Sequence, residues 1–123
     1  IRYFDGGLSD PIPIDFAIKK GCEKIVVIWT KPINEVGNYK IDEMAGHALK
    51  KKYPNISNDL LNRKEKIEKS LEYAKKLRNE GKVLIVSPES IGKMSTLTKD
   101  KEALDMLYKT GYADAEKIIE FLK

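Results

Sequence analysis

The sequence predicts an α/β domain organised on a parallel sheet, and three observations carry that prediction. Ile25-Val26-Val27-Ile28-Trp29 is an unbroken, largely β-branched run, the pattern of a strand covered on both faces. Val83-Leu84-Ile85-Val86 is a second such run. Around them lie helix-length stretches whose apolar residues recur every three or four positions. Strands separated by helices need crossover connections, and crossovers imply parallel pairing.

In chain order, Ile1 to Phe4 read as the end of a first strand, stopped by Gly6 and Gly7. Pro11 and Pro13 punctuate a loop. Pro13 suits the first turn of a short helix over 14–20, where its missing N–H is no loss. Gly21 is a natural stop for that helix, because glycine enters the left-handed region easily. The second strand covers 24–30. A loop through Gly37 leads to a helix over 41–53, carried by Met44, Ala45, Ala48 and Leu49 and broken at Tyr53-Pro54-Asn55. The longest helix spans 57–79. Leu60, Lys64, Ile67, Leu71, Ala74 and Leu77 form its stripe, with the Lys64 stem expected to lie along the core. Glu80-Gly81 ends it and 83–86 is the third strand, closed by Pro88. A helix starting near Lys99 carries Ala103, Leu104, Leu107 and Tyr108. Gly111 is expected to break it before a last helix over 114–122. Three strands and five helices result. Buried parallel sheets usually have more than three strands, so strands from outside these residues are expected to complete this one.

The chain has 123 residues, 41% apolar and 34% charged, which fits one globular domain with a highly charged surface. No apolar run approaches the roughly 18 residues of a membrane span. The net charge of +4 arises from lysines dispersed among glutamates, the mark of a solvated surface and not of a nucleic-acid footprint. The single cysteine, Cys22, excludes an internal disulfide and a multi-cysteine metal site, and a packing role is expected for it. The start at Ile1, with strand-like residues at once, reads as a piece or processed product of something longer.

Asp5-Gly6-Gly7 is the sharpest chemical feature. An aspartate at the C-terminal end of a parallel strand faces the crevice where α/β proteins bind ligands. The glycines permit a sharp turn and close approach of a substrate to the backbone. A carboxylate there can accept the proton of a nucleophilic hydroxyl. The tripeptide alone is also a common turn. Its setting, Tyr3-Phe4-Asp5-Gly6-Gly7-Leu8-Ser9-Asp10-Pro11-Ile12-Pro13, resembles the aspartate motif of bacterial patatin-like phospholipases. The likeness continues through Ala17-Ile18 with Gly21, the stretch from Lys24 to Pro32, Tyr53-Pro54, Leu61-Asn62-Arg63, Gly81-Lys82 and the stretch from Leu107 to Ala115. It therefore covers essentially all of residues 1–123, and only the opening motif speaks to mechanism.

The resemblance implies a three-layer α/β/α fold on a parallel sheet, of which residues 1–123 are the C-terminal portion. It implies a lipid acyl hydrolase or esterase working through a Ser–Asp dyad. Asp5 would be the catalytic base, with Gly6 and Gly7 shaping the motif. The family's nucleophile stands in a Gly-x-Ser-x-Gly elbow and its oxyanion hole in a glycine-rich loop. Neither occurs here. An N-terminal segment carrying the serine is thus an expected partner, together with a lipid or small ester substrate, and the 123 residues alone are expected to be inactive. Ser9 follows the aspartate in a loop without an elbow, and Asp10 sets the turn before Pro11.

His47, the only histidine, falls on a helix and reads as a surface or partly buried residue, as a dyad without histidine requires. With one cysteine beside it, a zinc site is not expected. No metal, cofactor or nucleic acid is implied, and no dinucleotide or P-loop signature occurs. The basic stretch of Lys50-Lys51-Lys52, Arg63-Lys64, Lys66 and Lys69 is interleaved with Glu65, Glu68 and Glu72, as for ion pairs along a helix. Contact with a membrane would be at most peripheral, in the cytoplasm. The rival reading is a non-catalytic α/β module for regulation or assembly that has lost the nucleophile.

Overall fold

The computed structural model describes residues 4–35, 37–92, 94–95 and 98–123. The chain forms two compact units, Ile1–Cys22 with Val36–Lys76, and Glu23–Glu35 with Leu77–Lys123.

The first unit is helical. A 3-10 turn at Gly6–Leu8 precedes α1 (Ile14–Lys19), α2 (Lys40–Leu49) and α3 (Pro54–Asn79), the last three residues of which belong to the second unit. Pro13 takes the N-cap position of α1, and Gly21 at φ 81° ends the segment as expected. Pro54 does not end α2, which stops at Leu49 and not at the expected Tyr53. It is the first residue of α3, where a proline's fixed φ suits the helix. Leu60, Ile67 and Ala74 are buried at intervals of seven on one stripe of α3, and Ile12 and Ile14 of the N-terminal segment are buried as well. Lys64 leaves that stripe. Its side chain is half exposed and meets Glu68 at 3.9 Å, because the ammonium is better hydrated than buried. Between α2 and α3 the close approach falls at Gly46. A Cβ there would lie 2.9 Å from Leu61 Cγ and 3.2 Å from the Ser57 carbonyl oxygen.

The second unit holds β1 (Ile25–Ile28), β2 (Val83–Val86), α4 (Lys101–Asp114) and α5 (Glu116–Leu122). The strands pair in parallel, Ile25 opposite Val83 and Ile28 opposite Val86. Val27 and Val83 are buried. Asp100 caps α4 by accepting the Ala103 N–H at 3.1 Å. Lys24 donates to the Phe121 carbonyl oxygen at 2.6 Å, satisfying an acceptor near the C-terminus of α5.

The expected three-layer α/β/α fold is overturned. Among the described residues there is one sheet, and it has two strands. The expected first strand falls on residues 1–3, outside the described residues, and on Phe4, which lies in no strand. The strand-forming runs are four residues each, whereas α3 alone takes 26. Most of the apolar periodicity is therefore helical. Ile28, at the end of β1, is 70% exposed, so the strand end lacks the cover a buried parallel sheet has.

Gly111 does not break its helix either. α4 runs through it, and the interruption falls at Ala115, whose φ −64° and ψ −22° remain helical. A glycine inside a helix costs only about 1 kcal/mol relative to alanine, too little to stop one when its neighbours propagate. Among the described residues, no helix is long and apolar enough to cross a membrane.

Candidate functional site

The Asp-Gly-Gly turn is closed by its own side chain. Asp5 stands in extended geometry at the N-cap of the 3-10 turn, and its Oδ1 accepts the Gly7 N–H at 2.8 Å. Backbone bonds from Leu8 N–H to the Asp5 oxygen and from Asp10 N–H to the Gly6 oxygen complete the turn, at 3.1 and 2.9 Å. A Cβ on Gly7 would lie 3.2 Å from that same Asp5 oxygen, so glycine permits the cap, while at Gly6 a Cβ would meet open space. The structure thus brings Asp5, Gly6 and Gly7 into one turn with the carboxylate exposed. The Ser9 hydroxyl donates to the Gly6 carbonyl oxygen at 3.2 Å, engaged with backbone. Lys66 anchors the loop by donating to the Ser9 carbonyl oxygen at 3.2 Å and pairing with Asp59 at 2.7 Å. Chemically, an exposed carboxylate oriented by an amide can receive a proton from a hydroxyl brought to it.

His47 is exposed on α2. Cys22 is exposed as well, contrary to the packing role expected of it. The turn that closes on Gly21 places it outside the helix, with its N–H bonded to the Ala17 carbonyl oxygen. Among the described residues, no group of three histidine, cysteine or acidic side chains is arranged to hold a metal.

Two arrangements escaped sequence reasoning. Arg63 on α3 pairs with Asp42 on α2, Nη1 to Oδ2 at 3.2 Å. Tyr39 lies in the field of both. Burial raises its phenol above the ordinary value, the Arg63 charge draws it back, and the charges of Glu68 and Asp42 raise it further. The 21-residue separation of Asp42 and Arg63 hides this pair from any helix-spacing rule.

The second is a half-open cleft of about 200 Å³ in the second unit, at the C-terminal ends of the two strands. Ile28, Trp29, Val86 and Pro88 line it from the strand side, and Leu107, Gly111 and Ile118 from the helices. Its wall is almost wholly apolar. Asp114 lies at this cleft and holds Lys117 at 2.5 Å, which keeps the Lys117 ammonium charged above its usual range. The available signal was Gly111 itself, a glycine within an otherwise regular helical pattern.

None of the curated proteins or solved structures compared with this chain matches it. A family model described as "Domain of unknown function (DUF6363)" matches residues 53–123, which takes in α3, β2, α4 and α5, but not the Asp-Gly-Gly turn or β1. With more than half of its length matched, the chain belongs to the DUF6363 family.

Proposed function

We propose that the chain is the aspartate-bearing part of a Ser–Asp acyl hydrolase resembling the patatin-like phospholipases. The observation that carries the reading is the exposed Asp5 carboxylate, oriented by the Gly7 amide in a turn where a Cβ at position 7 would press on that carboxylate. A serine from an upstream segment attacks the ester carbonyl of a lipid or small ester, and Asp5 accepts its proton as the C–O bond to the nucleophile forms. Backbone amides of that segment hold the oxyanion, and Asp5 returns the proton to the leaving oxygen as the ester C–O bond breaks. In the second half Asp5 takes a proton from the attacking water and returns it to the serine oxygen as the acyl group is released. The enzyme meets its lipid peripherally from the cytoplasm. The test is Asp5→Asn in the intact protein with its nucleophile segment. Turnover of a p-nitrophenyl ester is expected to fall by about 10²–10⁴, with unchanged circular dichroism. Undiminished kcat in the folded variant rejects the assignment.

A second reading is favoured by the extent of the family match. It begins at Tyr53 and leaves out Asp5, so the family domain occupies a stretch separate from the proposed chemistry. On this reading residues 53–123 are a non-catalytic module. Deleting them from the intact protein would then spare kcat on a soluble ester.

A further inference from the structure

We propose that the cleft at the strand ends of the second unit binds an uncharged alkyl chain of about six to eight carbons. This inference stands apart from the hydrolase reading, since it concerns other residues and is tested by binding, not turnover. An apolar cavity of about 150 Å³ admits a six-carbon ring, so by proportion a cleft of about 200 Å³ takes roughly six to eight carbons. The site has the place that α/β architecture gives to ligands, beyond the carboxyl ends of parallel strands. Trp29, Leu107 and Ile118 supply the apolar wall, and although Thr30, Ser87, Thr110 and Asp114 also line the cleft, little polar surface faces it, which favours a hydrocarbon over a polar group.

Gly111 is the second observation. It sits inside α4, where alanine would be the better helix former, and a Cβ added to it meets no atom within 4 Å. Packing against protein therefore does not require glycine here. The position lines the cleft, and the missing side chain keeps it open. Burying an anionic headgroup against so apolar a wall is disfavoured, because a charge taken from water without a partner pays its desolvation. The alkyl chain could belong to a membrane lipid or to a small free alcohol. The shared chemistry is an uncharged, linear hydrocarbon end.

The experiment titrates the chain with linear alcohols from butanol to dodecanol and follows Trp29 fluorescence, with Trp29→Phe as the control for the signal. Each added carbon is expected to tighten binding about fourfold until the cleft is full near eight carbons, after which affinity levels off. Octanoate should bind more weakly than octanol. Gly111→Leu, which fills the cleft, should lose at least about tenfold in octanol affinity, while Gly111→Ala keeps a folded helix and most of the binding. Phosphatidylcholine vesicles distinguish the sources. A Trp29 blue shift on vesicles that Gly111→Leu abolishes assigns the site to lipid chains, and alcohol binding without a vesicle response assigns it to a free ligand. Affinity that climbs with chain length without levelling, or that ignores Gly111→Leu, overturns the proposal. A Trp29 shift that follows protein concentration, with a dimer lost in Gly111→Leu, also overturns it by making the cleft an interface between copies.

Discussion

At the scale of single residues, position in a turn or a charge field decides what a side chain can do. Asp5 and Ser9 are near in sequence, yet each is committed to backbone, Asp5 to the Gly7 amide and Ser9 to the Gly6 carbonyl. The aspartate and its glycines were legible because a turn is a local object. Tyr39 was not, since its neighbour Arg63 arrives from another helix. Burial disfavours its phenolate, so it should titrate above 10.0 in the folded chain. The sign follows from linkage. A folded value above the unfolded one means the folded state holds the proton more tightly. That contribution is fully present below about pH 10 and is lost as pH rises through the folded midpoint. NMR of ring-labelled tyrosine should show a midpoint above 10.0 for Tyr39, shifted further up in Arg63→Met, where the attracting cation is gone. A midpoint at or below 10.0, or a downward shift in the variant, would contradict this account.

At the scale of elements, two glycines in helices have opposite reasons for being there. Gly46 on α2 is buried, and a Cβ would press on Leu61 and the Ser57 carbonyl. Gly111 on α4 is exposed and faces open space. The same substitution should therefore have opposite signs. Gly111→Ala should stabilise by up to about 1 kcal/mol through helix propensity alone. Gly46→Ala gains that term but adds overpacking of about 1–3 kcal/mol, for a net loss. Urea unfolding of both variants checks the pair, and equal signs would refute the contact reading. Helix periodicity announced α3, and the β-branched runs announced β1 and β2, to within a few residues. It misjudged Gly111 because propensity is a weak term that neighbouring apolar contacts override.

At the scale of the whole molecule, chemistry and architecture separate. The Asp-Gly-Gly turn belongs to the first unit, whereas the sheet, α4, α5 and the cleft belong to the second. If the hydrolase reading holds, these 123 residues lack a nucleophile on an elbow and should not turn over esters alone. A purified chain assayed with p-nitrophenyl butyrate is expected to match the uncatalysed rate, and to gain activity when the upstream serine segment is supplied. Turnover by the chain alone, with a fluorophosphonate labelling Ser9, would place the nucleophile in this sequence and reverse the assignment.

What the sequence determined by itself is local. It specified the helix stripe of α3, the two β-branched runs, the stop at Gly21 and the Asp5 turn, because each depends on residues within a few positions of one another. Pairing was decided only in the folded chain. The partner of β1 is β2, 58 residues later in register. The Arg63–Asp42 pair, the close approach at Gly46 and the cleft beside Gly111 likewise join distant stretches. Periodicity states which face of an element is apolar, but not what meets it. That depends on packing of surfaces brought together from far along the chain, which no short window of sequence contains.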